Sequence, residues 1–388
     1  MIVLFLSFAF SAEPTLTYIH RTGDDGSKYW RIPAIVRTKD GTIITACDKR
    51  GDSNADLDEP IQIAIRISHD DGYTFEPTKI IAGTGREDAK KYGYSDPSLV
   101  CDRETGAVLC VFNAGNKFQS STPTNQIRQV YCISYDNGQS WSDPIDFTSQ
   151  IYGPECEDLV RKTWNAVFVV SGSGIQLRDG TIMFPVVVRK DYNTREQFYP
   201  VHMIWTKDLG KTWTFGAQSC TGGDETKVVE LNNGSLLVSI RHAPANSTDS
   251  MRIFVVSHDK GHHWEYPVNR YDFIDPGCNG DIKRYTSTLD GYDKDRLIHT
   301  NQYHVSSRRN LTIKISYDEG NTWKYVKSLD PALSAYSAVA IANNGDILVY
   351  YEKEHSEKGY DMALMRVTLD YITDGEDKYT PPKNIKEL

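Results

Sequence analysis

The chain of 388 residues has no excess of basic charge: 43 Lys and Arg stand against 52 Asp and Glu, a net of −9. That balance excludes a protein that holds nucleic acid or an anionic membrane surface by bulk charge. Past the N-terminal segment, no apolar run approaches the roughly 18–20 residues that a membrane span needs, so no integral membrane segment is expected. Cysteine is present without a pattern. Cys47, Cys101, Cys110, Cys132, Cys156, Cys220 and Cys278 form an odd set with no CxxC spacing. Such a set is neither a disulfide nor a zinc framework and predicts buried free thiols. The ten His contain no HExxH, and Gly172-Ser173-Gly174 lacks the third glycine of a dinucleotide loop. Neither a metal nor a cofactor is expected.

Aromatic and turn residues are plentiful: 23 Tyr, 13 Phe and 7 Trp accompany 28 Gly and 16 Pro. That combination predicts a β-rich fold. Met1 to Phe10 is nearly all apolar and is followed by Ser11-Ala12-Glu13-Pro14. Residues 1–12 therefore read as a secretory signal peptide. The expected location is secreted or periplasmic, with the cytoplasm as the alternative. Residues 371–388 read as a polar C-terminal tail. Possible N-glycosylation sequons stand at Asn233, Asn246 and Asn310 and matter only in a eukaryotic secretory host.

At about 150 residues per domain, the length predicts two or three domains. An internal repeat replaces that expectation. Ser68-His69-Asp70-Asp71-Gly72-Tyr73-Thr74-Phe75 recurs as Ser134–Trp141, Thr206–Trp213, Ser257–Trp264 and Ser316–Trp323. The frame is Ser or Thr, then Asp, Gly, Thr or Ser, and an aromatic residue; it is degraded only at His263. Its chemistry is that of a tight turn. Asp accepts backbone N–H groups two or three residues on, and Gly supplies a positive φ. The copies lack the further carboxylates of a calcium cage.

Each box follows a strand-like run, and each such run follows a hairpin with its own turn signal, as at Lys39-Asp40-Gly41 and Asn232-Asn233-Gly234. A further hairpin around Asn343-Asn344-Gly345 precedes Met362–Leu369, which has no box. Four strands repeated six times predict an all-β, six-bladed β-propeller of four-stranded antiparallel blades over residues 18–370.

If strands A to D run outward from the axis, the boxes occupy the C–D turns of one face. The starts of A strands and the B–C loops share the opposite face, where function is sought. Arg31, Asp96, Asp224, Glu225 and Tyr336 stand at starts of A. Arg241 and Glu352 end B strands, and Arg50, Asp52, Asp56, Asp58, Glu59, Arg308 and Arg309 lie in B–C loops. Any one arginine there is ordinarily a solvated rim residue. Arginines converging from three repeats instead suit a carboxylate or phosphate. Spacing alone thus gives an anion-binding propeller.

Tyr29-Trp30-Arg31-Ile32-Pro33 ahead of five Asp boxes resembles the bacterial-type exo-sialidases (neuraminidases) over Tyr18 to Leu369. That family usually carries Phe or Tyr where Trp30 stands; the Arg-Ile-Pro is intact. The resemblance implies that Arg31, Arg241 and Arg308 grip a sialic acid carboxylate, with Arg309 the neighbour of the third. It implies Tyr336 as nucleophile and Glu225 as its base partner, with Glu230 as competitor. Asp56 is implied as general acid/base, with Asp52 and Asp58 beside it. Glu352 would orient Arg31, and Arg50 and Asp96 would contact ring substituents. The implied partners are sialylated glycoconjugates, met as a monomer. A sialoside carries a carboxylate on its anomeric carbon, which repels an anionic nucleophile. A neutral phenol avoids that repulsion, and sialidases are a tyrosine exception among glycosidases. The implied reaction is retaining hydrolysis; trans-sialidase, anhydro-forming and non-catalytic glycan-binding variants share the motifs. The Arg50-Gly51-Asp52 tripeptide falls in the same loop and is read as coincidence.

Overall fold

The computed structural model describes residues 12–83, 93–191, 199–242, 249–355 and 359–383. Most of the signal-like segment, Asn246 and residues 384–388 of the tail lie outside the described residues. Short alternating runs bounded by Gly, Asp and Asn form antiparallel sheets in chain order. β1 (Thr15–His20) precedes a four-stranded sheet of β2 (Trp30–Arg37), β3 (Ile43–Lys49), β4 (Gln62–Ser68) and β5 (Lys79–Ala82). The next sheet holds β6 (Gly93–Cys101), β7 (Val108–Gly115), β8 (Ile127–Ser134) and β9 (Ile145–Asp146). The third is built from β10 (Ala166–Val169), β11 (Gly172–Ser173), β12 (Ile175–Gln176), β13 (Ile182–Arg189), β14 (Val201–Thr206) and β15 (Thr214–Phe215), although β11 leaves it to pair in parallel with β6. The fourth holds β16 (Gly223–Glu230), β17 (Leu236–His242), β18 (Arg252–Ser257) and β19 (Val268–Arg270).

The last sheet contains β20 (Asp281–Thr286), β21 (Arg296–Gln302), β22 (Arg309–Ser316), β23 (Tyr325–Ile341), β24 (Ile347–Glu354) and β25 (Tyr360–Val367), with β1 on its edge. It is continuous because β23 runs 17 residues. The Tyr325–Leu333 half pairs with β22, and the Ser334–Ile341 half pairs with β24. No Gly or Asn interrupts Lys327–Ala338 to force a turn there. The apolar layers lie between neighbouring sheets. Ile44, Ile63 and Ile65 of the first sheet pack with Leu99, Cys110 and Phe112 of the second. At the other end of the chain, Ala338, Leu348 and Leu364 pack on Ile35, Ile43 and Ala64 of the first sheet. Among the described residues past Leu369, Asp377 holds to the body, accepting from Arg296 at 2.7 Å and from Tyr317 at 2.7 Å.

Every box has the same geometry. Oδ1 of Asp70, Asp136, Asp208, Asp259 and Asp318 accepts the N–H of the residue four positions on at 2.8 Å. That reach is longer than the two or three residues expected from the sequence. Two consecutive residues take positive φ in each box, for example Asp71 (59°) and Gly72 (86°), and fold the chain back farther. At the degraded position, His263 Nδ1 contacts Asp259 Oδ2 at 2.6 Å, where the other boxes place a hydroxyl. All seven cysteines are free thiols, and all but Cys101 are fully buried. No helix among the described residues is long and apolar enough to cross a membrane.

Candidate active site

The site is assembled by irregularities at the starts of inner strands. The pairing register slips between Arg31 and Ala34, Ser95 and Ser98, Gly223 and Thr226, and Ser334 and Ser337. Bulges of this kind re-aim side chains out of the sheet alternation. Ile32 and Asp96 both take φ 65°. For a β-branched residue such as Ile32 that conformation is strained, and strain of this kind clusters at functional positions. Each is followed by a proline, Pro33 and Pro97, whose missing N–H is tolerated where the ladder is already broken.

Glu352, fully buried at the end of β24, ties the bulges together. Its carboxylate accepts Arg31 Nε at 2.6 Å and Arg31 Nη2 at 3.2 Å. It also takes the backbone N–H of Ile32 at 2.8 Å and of Tyr336 at 3.1 Å. Tyr336 donates its hydroxyl to Glu225, and Arg241 Nη1 donates to Glu225 and, at 3.1 Å, to the Tyr336 oxygen. The guanidinium carbons of Arg31 and Arg308 lie 5.5 and 5.3 Å from the Tyr336 ring centroid. Arg308 also donates to the Gly277 carbonyl at 3.3 Å, whereas Arg309 is exposed. Ile32, Cys278 and Ala335 complete an apolar shell around the phenol.

These surroundings set protonation. Burial, then the neighbouring Glu225 charge, pushes the Tyr336 phenol well above its ordinary value, so it is neutral at pH 7. Burial opposes charge on Glu225 as well, but the Arg241 guanidinium and the Tyr336 hydroxyl hold its carboxyl below the usual range. Asp224 goes the other way. Burial and the adjacent Glu225 raise it to about 6, with Arg241 Nη1 3.6 Å away.

A second cluster adjoins the first. Arg50 donates Nε and Nη2 to Asp48 Oδ2 at 3.1 and 2.9 Å, and Nη1 to Asp56 Oδ1 at 2.9 Å. Asp48 Oδ1 accepts the Asp96 N–H at 2.9 Å. Ser95 Oγ stands 2.6 Å from Asp48 Oδ2 and 2.9 Å from Asp96 Oδ2. One hydroxyl proton cannot serve both carboxylates. Burial and the Asp48 charge push Asp96 well above the carboxylate range, so a neutral Asp96 donates to Ser95, and Ser95 donates to Asp48.

The sequence-predicted residues therefore form two groups. Arg31, Arg241, Arg308, Glu225, Glu352 and Tyr336 surround one point. Arg50 and Asp96 stand beside them around Asp48. Asp56 reaches only Arg50, and its side chain is 77% exposed. Asp52 is exposed, and Asp58 pairs with Lys117 at 3.3 Å. Glu230 is at the opposite end of its strand and accepts the Arg178 N–H at 2.7 Å. Arg50 of the Arg-Gly-Asp tripeptide is buried within the site. Sequence reasoning missed Asp48 and Tyr360, whose ring centroid lies 5.0 Å from the Arg31 guanidinium carbon. For Asp48 the available signal was a carboxylate ending the apolar strand Ile43–Cys47, two residues before Arg50.

The model of the BNR repeat-like domain matches residues 58–349, a stretch that contains Glu225, Arg241, Arg308 and Tyr336 but not Arg31, Arg50, Asp56 or Glu352. A sialidase of Bacteroides fragilis is 28% identical over 351 residues, covering 86% of this chain and 62% of that protein. A sialidase of Micromonospora viridifaciens is 29% identical over 340 residues, covering 85% of this chain and 50% of that protein. The chain thus spans half to three-fifths of the length of these curated relatives. The solved Hadza microbial sialidase Hz136 superposes with a TM-score of 0.79 at 25% identity, over 92% of this chain and 69% of that one. The intramolecular trans-sialidase of Ruminococcus gnavus superposes with a TM-score of 0.75 at 18% identity, over 94% and 99%, a likeness of fold. The resemblance read from the sequence is borne out, and the fold is that of the β-propeller neighbours.

Proposed function

The chain belongs to the BNR repeat-like domain family, and from that premise we propose that it is a retaining exo-α-sialidase acting on terminal sialic acids of glycoconjugates through the phenol of Tyr336. The observation that carries the reading is the Tyr336–Glu225–Arg241 hydrogen-bond set, flanked by Arg31 and Arg308. In this reading the three arginines hold the sugar carboxylate and set the anomeric carbon against the Tyr336 oxygen. Arg31 is pre-aimed by Glu352. The strained start of β2 supports that aim, because the same carboxylate fixes the Ile32 and Tyr336 backbones.

The Tyr336 oxygen bonds to the anomeric carbon while its proton passes to Glu225, and the glycosidic bond breaks. Asp56 protonates the leaving oxygen. Water then attacks the same carbon and gives its proton to Asp56. The Tyr336 oxygen departs and recovers its proton from Glu225, and two displacements retain configuration. Asp56 stands on an exposed loop, where its only hydrogen-bond partner among the described residues is Arg50 at 2.9 Å, and is open to the leaving group from solvent. Arg50 and Asp96 face the ring substituents; with its one proton held by Ser95, Asp96 offers them a carboxyl oxygen as acceptor.

The same reading takes the scaffold as six four-stranded blades, the long β23 serving as outer strand of one blade and inner strand of the next. Its location is secreted or periplasmic, and its working unit is a monomer.

The test is turnover of a fluorogenic α-sialoside by the wild-type protein and by Tyr336→Phe. Loss of about 10³-fold or more in turnover is expected in a variant that melts with the wild type. Equal turnover would overturn the nucleophile assignment. NMR of the first-formed product should show free sialic acid with retained configuration; an anhydro sugar or a transferred sialoside would replace the hydrolytic reading, and binding without cleavage would replace the enzyme.

A further inference from the structure

Along β16, Glu225 belongs to the candidate active site, and Lys227 is buried two residues farther, its Nζ donating to Asn279 at 2.7 Å. Beyond it, Val228, Val229 and Glu230 line a cavity of about 610 Å³ at the other end of the axis. Inner strands from every sheet contribute to its wall. The cavity has a positive mouth on a chain whose net charge is −9. Arg37, Arg103, Arg178, Lys283 and Arg284 all line it.

Two of these cations are neutralised. Arg178 is bidentate to Asp290 at 2.7 and 3.1 Å, and Arg284 is bidentate to Glu319 at 2.6 Å on both oxygens. The others have neutral partners or none. Arg37 donates to Asn343 Oδ1 at 2.7 Å, and Arg103 donates to the Leu177 carbonyl at 2.6 Å. The Lys283 side chain has no hydrogen bond or ion pair among the described residues. The remaining carboxylate in the wall, Glu230, takes the Arg178 backbone N–H. With Asp295 also beside Arg178 and Arg284, five cations meet four carboxylates (Asp290, Glu319, Glu230 and Asp295), a surplus of one positive charge. Tyr285, Tyr292 and Tyr379 also line the cavity, with ring centroids 6.0 Å apart in sequence from the first to the third and from the second to the third.

We propose that this cavity is a second binding site, separate from the candidate active site, for a saccharide-sized anion bearing a phosphate or sulfate group. The surplus charge and two arginine forks suit a group with several anionic oxygens. The aromatic faces suit the C–H face of a sugar ring. The volume is within the range of small-ligand pockets and exceeds what a bare phosphate fills. Lys227 and Asn279 occupy the axis between the two sites, so both can be filled together.

Isothermal titration at fixed ionic strength tests the proposal with glucose 6-phosphate, glucose 6-sulfate, glucose and inorganic phosphate as probes. One or both esters should bind saturably, equally to the wild type and to Tyr336→Phe. Lys283→Met and Arg103→Gln should each weaken that binding at least about tenfold, with an unchanged melting temperature. Absence of saturable binding of either ester up to about 10 mM would overturn the site. Equal affinity in both cavity variants would overturn it as well. Inorganic phosphate matching the esters would overturn the saccharide-sized occupant.

Discussion

The two ends of the central axis treat positive charge differently. At the candidate active site each of three arginines has a dedicated carboxylate: Arg31 has Glu352, Arg241 has Glu225 and Arg50 has Asp48. Glu352 and Asp48 are fully buried, and strand bulges bring their partners to them. Arg308 is the exception, with a carbonyl as partner. At the far end the cations stand on strands and turns, Arg284 itself at a register slip, and Arg37 and Arg103 have only neutral acceptors. A buried charge without a counter-charge is costly, so the inner site fixes its arginines in place at the price of local strain. An exposed cation in water has no such requirement. One end is built for geometry, the other for field.

Breaking a matched pair at the first end should have the largest effect on stability. Glu352→Ala strands the Arg31 guanidinium and two backbone N–H groups, and should cost about 3–5 kcal/mol. Urea unfolding measures it, and a loss under 1 kcal/mol would show that the matching is not structural. Asp224 gives an intermediate effect that depends on pH. Its folded-state value of about 6 lies above the ordinary 3.8. Its neutral form therefore stabilises fully below pH 4, and that contribution is lost as pH rises through 6. Asp224→Asn stays neutral, so it should exceed the wild type by about 2 kcal/mol at pH 7.5 and match it near pH 4. Denaturation at the two pH values checks this, and a pH-independent difference would contradict it. The smallest effect is expected at the far end. Asp290→Ala breaks a half-exposed pair with Arg178 and should change stability by about 0.5 kcal/mol, within the usual range for such pairs. A loss comparable to that of Glu352→Ala would erase the contrast between the two ends.

The repeat was legible because each copy needs the same few atoms: an Asp, a Gly and a hydroxyl at fixed spacing. Arg31 was legible from its place at the start of an inner strand, whereas the roles of Tyr336 and Glu352 were legible only through the family resemblance. Asp48 was not. A single carboxylate in an apolar strand has no period, and its importance comes from Arg50, Ser95 and Asp96 meeting it in space. The bulges were equally hidden, since a register slip depends on the partner strand as much as on the strand itself. Asp56 shows the reverse limit. Its motif position is readable, but the exposure of its side chain and its pairing with Arg50 belong to the loop conformation. The continuous β23 was missed because its one break signal, Asp330-Pro331, marks a change of partner there and not an end of the strand.

The pairing of β1 with β25 has a consequence for assembly. Thr15 lies opposite Arg366, and His20 opposite Met362. β1, the first strand among the described residues, therefore finds its neighbour only after β25 has been synthesised. Until then the apolar face of β25 and the free edge of β1 both lack their cover, and an unpaired edge invites a strand from another molecule. Closing so long a loop is entropically slow rather than prohibitive, because the cost grows only with the logarithm of its length. Folding of this chain is thus a race between its own β1 and β25 and those of its neighbours, and dilution favours the native outcome.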